Sequence, residues 1–178
     1  MMGRALLVVG ALATLGLLAT AVLGYAVTDP VDAESLSSHL LLAVVSSLLL
    51  LFSHCWILFY LIGTGKALKG AVAEHGLPVE IVEQTKRFKN RSNPWLMLAM
   101  MLAMATFVVG GAVATRALPA WAHHVLFLAT AVVQIRALWV EYEVLTANEA
   151  LMSGVDRRLR RGPEAGTRGR GRSRREAS

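Results

Sequence analysis

The sequence predicts an all-α integral membrane protein: a four-transmembrane-helix, up-down-up-down bundle with a cytoplasmic helical hairpin and a disordered basic C-terminal tail. Three observations carry that prediction. The 178 residues are 55% apolar and only 17% charged, with a mean hydropathy of +0.53; a soluble domain carries about 25% charged residues. The stretches 5–28, 35–65, 92–115 and 117–135 contain no Asp, Glu, Lys or Arg, and a helix needs about 20 such residues to cross about 30 Å of hydrocarbon. Nothing between them alternates as a strand would, and lipid accommodates only helices or closed barrels.

The transmembrane domain is expected over residues 1–152. Span one, near 5–27, follows Arg4. Its start also suits a signal peptide, with Ala19-Thr20-Ala21 as a cleavage site. The run is long for that, and Gly16, Thr20 and Gly24 recur every four residues, a small-residue face suited to close helix packing, so a retained helix is expected. Span two, near 38–64, continues toward His75. Gly76-Leu77-Pro78 breaks it, with Pro78 placed to begin the next helix. Residues 65–93 then form the hairpin, with Val79, Val82 and Phe88 on one apolar face and Glu83 paired to Arg87. Spans three and four are expected near 94–116 and 120–146, and residues 153–178 as the tail.

Charge sets the orientation. The 28–37 loop holds Asp29, Asp32 and Glu34 and no base, whereas the 65–93 loop holds Lys66, Lys69, Lys86, Arg87, Lys89 and Arg91. Residues 156–178 hold nine Arg and three acids, which accounts for the whole net charge of +6. The positive-inside rule places both termini and the long loop in the cytoplasm of a multi-pass protein of the inner or plasma membrane. Trp95, Trp121 and Tyr25 fall near span ends, as an aromatic belt does. The Arg-rich tail lacks interleaved aromatics, so it reads as a topology anchor at anionic headgroups rather than a specific nucleic-acid binder.

Polar residues inside a bilayer are costly and point to function. On span two, His39, Ser46, Ser53 and Tyr60 recur every seven residues, flanked by Ser47 and His54, a stripe that faces the bundle interior. His39, His123 and His124 share the outer layer. With neighbouring axes 8–10 Å apart, diagonal helices two and four stand about 12–14 Å apart, a gap suited to haem b, or a metal, held by His39 with His123 or His124. Asp29, Asp32 and Glu34 lie on the same side, able to orient a ring nitrogen. A deeper layer holds His54, Cys55, Met97, Met100, Met101, Met104, Gln134 and Arg136. His54, Cys55 and Met101 form a soft donor set suited to copper(I), although methionines at this spacing also serve simply as packing. Arg136 is expected to pair with Glu141 or Glu143, or to snorkel. Cys55 is the sole cysteine, so no intramolecular disulfide forms.

The chain has no GxxxxGK[ST], HExxH or GxSxG segment, which removes P-loop, zincin and serine-elbow chemistry. No internal repeat is evident. The reading is a non-catalytic accessory or scaffold subunit of a membrane complex, in contact with the bilayer and with another membrane protein or copies of itself. The alternative is an electron-transfer subunit binding haem b or, less favoured, copper. A third reading is a proton or small-solute pathway along His39, Ser46, Ser53 and His54.

Overall fold

The structure, a computed structural model, describes residues 2–26 and 33–160. It is all-helical there, with α1 (Met2–Ala26), α2 (Ala33–His75), α3 (Glu80–Ala114) and α4 (Ala120–Arg160). All four helices are long and apolar enough to cross a membrane. Asp29, Asp32 and the 161–178 segment lie outside the described residues.

Three helices exceed what a bilayer needs. The 43 residues of α2 extend about 65 Å at 1.5 Å per residue, twice the hydrocarbon thickness. Its last turns, the first turns of α3 and the end of α4 build a separate apolar cluster of Leu68, Ile81 and Val155, with Leu77, Leu151 and Met152 against it. The expected boundary at 152/153 is therefore displaced: α4 continues to Arg160, because Val155 still has a core to enter.

The α2–α3 turn closes as Gly76-Leu77-Pro78 suggested. Gly76 adopts φ +61°, and the Leu77 N–H donates to the Val72 carbonyl at 3.2 Å, a Schellman closure that glycine permits without a Cβ clash. Leu77 supplies the apolar contact that completes it. The α3–α4 turn closes the same way with Arg116 at φ +61°: Arg116 N–H donates to Val113 and Ala117 N–H to Ala112. Two local expectations fail. The buried face of α3 begins with Ile81 and Thr85 rather than Val79, which is exposed. Glu83 pairs with Lys86 at 2.8 Å and not with Arg87, and the Lys86 ammonium holds its carboxyl below the ordinary range.

In the bundle, α1 packs on α2 and α4, α3 packs on the same two, and α2 also touches α4. The cross-section is thus a rhombus with α2 and α4 on its short diagonal, not the expected square. Polarity is inverted relative to a soluble domain. Ser46, Ser53, His54, Thr130, Gln134, Glu141 and Asn148 are buried, while Phe59 is 71% exposed and Leu15, Val22, Leu41 and Val132 also face outward. Such a surface is favourable where hydrocarbon or another protein covers it, and it is consistent with helices that cross a membrane.

Candidate functional site

Small residues of α1 bring the polar face of α2 close. A Cβ at Gly16 would fall 2.5 Å from Ser46 Oγ, and one at Gly24 would fall 2.8 Å from the His39 ring. His39 therefore lies flat against α1, and its Nδ1–H donates to the Thr20 carbonyl at 3.0 Å. The Thr20 hydroxyl turns back to the Gly16 carbonyl, which keeps it clear of the ring.

Helices α1 and α2 form the first hairpin of the bundle and α3 and α4 the second, and the second repeats this arrangement. A Cβ at Gly110 of α3 would fall 2.9 Å from the His123 ring, with the backbone of Thr106, four residues earlier, beside that ring. The Thr106 hydroxyl turns back to the Leu102 carbonyl. Seven residues past each histidine stands a buried hydroxyl, Ser46 or Thr130. The pattern is Thr-x-x-x-Gly on the first helix of a hairpin and His followed at +7 by Ser or Thr on the second. It is a local likeness of two histidine seats and not a sequence repeat. The likeness resides in four positions per hairpin, too few to register when whole spans are compared.

Both imidazoles line one cavity of about 390 Å³ between the hairpins, within the 300–1,000 Å³ typical of small-molecule sites. Its wall includes Leu17, Ala43, Ser47, Phe107 and Phe127. At one rim the His124 and Tyr25 rings meet tilted by 38°, with centroids 5.0 Å apart. The structure thus separates the three outer-layer histidines. His39 and His123 occupy equivalent places, and His124 belongs to the mouth. Nδ1 of His123 is buried without a hydrogen-bond partner.

Deeper, α2 and α4 meet through His54 and Glu141, both fully buried, with Nδ1 2.5 Å from Oε1. His54 Nε2 lies 3.0 Å from Gln134 Oε1, Gln134 Nε2 donates to Thr14 Oγ1 at 3.1 Å, and Thr14 donates to the Gly10 carbonyl at 2.8 Å. The chain of donors fixes the protons. Thr14 has one hydrogen and gives it to Gly10, so it accepts from the Gln134 amide. The Gln134 oxygen then faces His54, whose Nε2 must carry a proton. One further proton is shared between Nδ1 and Glu141, so the pair is neutral overall, whether written as two ions or two neutral groups. Gly10 borders the carboxylate: a Cβ there would lie in ordinary van der Waals contact with Oε2, at 3.7 Å, the oxygen left without a partner.

Several expected groupings do not form. His54, Cys55 and Met101 are not brought together: His54 points inward with both nitrogens engaged, Cys55 is exposed and contacts Met100 Sδ at 3.8 Å, and Met101 is 66% exposed. Adjacent helix positions diverge by about 100°, so His54 and Cys55 cannot share a ligand from one helix. Arg136 pairs with neither acid. Its guanidinium lies 5.3 Å above the Trp95 ring, while Glu143 takes Arg91 and the Trp139 indole N–H. Among the described residues no three of His, Cys, Asp and Glu are grouped to hold a metal ion.

Two apolar layers bracket the His54–Glu141 chain. Ala13, Leu17, Leu50 and Ala103 separate it from the cavity, and Leu6, Ile57, Leu61, Leu96 and Leu145 lie on its other side. No family model, curated protein or solved structure matches the chain.

Proposed function

We propose that the chain is a non-catalytic subunit of a membrane complex whose bilayer domain holds a ligand between its two hairpins. In this reading it is an up-down-up-down bundle of the inner or plasma membrane, with both termini and the α2–α3 turn in the cytoplasm. The Leu68–Ile81–Val155 extension then meets a neighbouring membrane protein or another copy of the chain. The carrying observation is the cavity of about 390 Å³ lined by both His39 of α2 and His123 of α4, each ring seated against a glycine of the preceding helix. Polar groups retained at membrane depth favour a ligand, and here two imidazoles border open space. The proton-pathway reading has less support, because apolar layers interrupt the polar stripe above and below His54.

Native mass spectrometry of protein released in mild detergent tests the reading. A non-protein mass is expected at one per chain and is lost when Ala43→Phe fills the cavity. Bare chains from both wild type and a folded variant overturn it.

A further inference from the structure

We propose that the cavity is a haem b site, with His39 of the first hairpin and His123 of the second as the two axial ligands. This rests on the reading of the cavity as a ligand site and names the ligand.

Four observations converge. The two imidazoles sit on like glycine seats in the two hairpins and line one cavity, so the ligand they suit has two equivalent axial positions. Haem iron is such a centre. Second, His39 is already in the tautomer that ligation needs. Its Nδ1–H is given to the Thr20 carbonyl, which places the ring lone pair on Nε2 and fixes the ring plane, the usual arrangement behind a metal-bound histidine. His123 stands against the equivalent backbone, with a buried Nδ1 that still lacks a partner. Third, the donor count discriminates between metals. Two imidazoles are too few for a bare ion; His124 also borders the cavity, but among the described residues no three of His, Cys, Asp and Glu are grouped to hold a metal ion. A porphyrin brings four nitrogens of its own and asks the protein for only two. Fourth, the lining suits a flat apolar ring: Phe107, Phe127, Leu17 and Ala43 provide apolar walls. The glycine seats hold both imidazoles back against α1 and α3, so a Cβ at Gly24 or Gly110 would drive a ring forward by its clash at 2.8 or 2.9 Å. At the mouth stand His124 and Tyr25. They offer a polar edge for the propionates.

The full chain is produced in a host supplied with haem precursor, purified in mild detergent, and read by absorption and electron paramagnetic resonance, air-oxidised and dithionite-reduced. One haem per chain with a low-spin bis-imidazole signature is expected. His39→Ala and His123→Ala should each abolish that signature, and added imidazole should restore it. His39→Met should keep a six-coordinate haem at a raised potential. His124→Ala should retain the bis-imidazole spectrum. Gly24→Val or Gly110→Val should lower haem affinity by about tenfold or more, as lost ligand orientation does. Circular dichroism and gel filtration establish that each variant is folded. A folded wild type that stays colourless, and takes up haemin no better than the double variant His39→Ala/His123→Ala, overturns the proposal. If a different non-protein mass is then found that Ala43→Phe removes, the haem assignment fails while the ligand-site reading stands.

Discussion

At the scale of single residues, the His54–Glu141 contact is the most consequential pair outside the cavity. Both groups are fully buried, and removing one partner of such a pair leaves the other uncompensated, at a cost of about 3–5 kcal/mol. The neutral end of the same chain matters less, since hydrogen bonds inside membrane bundles average about 0.6 kcal/mol. His54→Ala should therefore lower the unfolding midpoint in mixed micelles much more than Thr14→Val does. Glu141→Gln, which keeps a hydrogen-bonding group toward Nδ1, should fall between them. Equal effects from His54→Ala and Thr14→Val would show that the pair contributes no more than an ordinary hydrogen bond. Half of this pair was legible in the sequence. His54 flanks a seven-residue polar stripe, and its level with Gln134 follows from helical rise. Glu141 was hidden because it follows Arg136, outside every charge-free window, and an acid there reads as a headgroup-side residue until α4 is seen to rotate it inward.

At the scale of elements, close approach of α1 and α2 depends on what Gly16 lacks. Gly16→Ala would place a Cβ 2.5 Å from Ser46 Oγ, and overpacking of this kind costs about 1–3 kcal/mol. Pairing it with Ser46→Gly should recover much of the loss, because the clash is with that one side chain; no recovery would place the strain elsewhere in the interface. The turns offer a complementary test. Gly76 and Arg116 have the same φ of +61°, yet only one is glycine. Gly76→Ala should destabilise by about 1 kcal/mol, and Arg116→Gly should stabilise the α3–α4 turn by a similar amount. The Thr-x-x-x-Gly repeat belongs to this scale too. Gly16, Thr20 and Gly24 stood out as a packing face from spacing alone. Their counterparts Thr106 and Gly110 did not, since Leu102 breaks the run of small residues where Gly16 would recur. The shared element is the seat beneath each imidazole, which only the packed hairpins reveal.

At the scale of the whole molecule, the long helices and the charge distribution make one joint claim about which end faces the cytoplasm. The α2–α3 turn sits among Lys66, Lys69, Lys86, Arg87, Lys89 and Arg91, and α4 ends in Arg157, Arg158 and Arg160; the opposite end has Arg116 alone between α3 and α4. Loop Lys and Arg close to span ends dominate orientation, so the turn at Gly76 should be inside and the turn at Leu118 outside. In a Cys55→Ser background, a single cysteine at Leu118 should react with a membrane-impermeant maleimide on intact cells. A cysteine at His75 should react only after permeabilisation. The rhombic packing adds a consequence that charge alone does not supply: α2, α3 and α4 emerge together on the basic side and share the Leu68–Ile81–Val155 cluster. Leu68→Ala should cost about 2–5 kcal/mol in that cluster, seen as faster amide exchange over 66–85 and 150–158, with exchange around His39 and His123 unchanged. Labelling of the His75 position on intact cells would reverse the orientation. It would also set the histidine cavity at the cytoplasmic face, although the cavity's geometry would be the same, because that geometry is fixed by glycine seats within each hairpin and not by the direction in which the bundle was inserted.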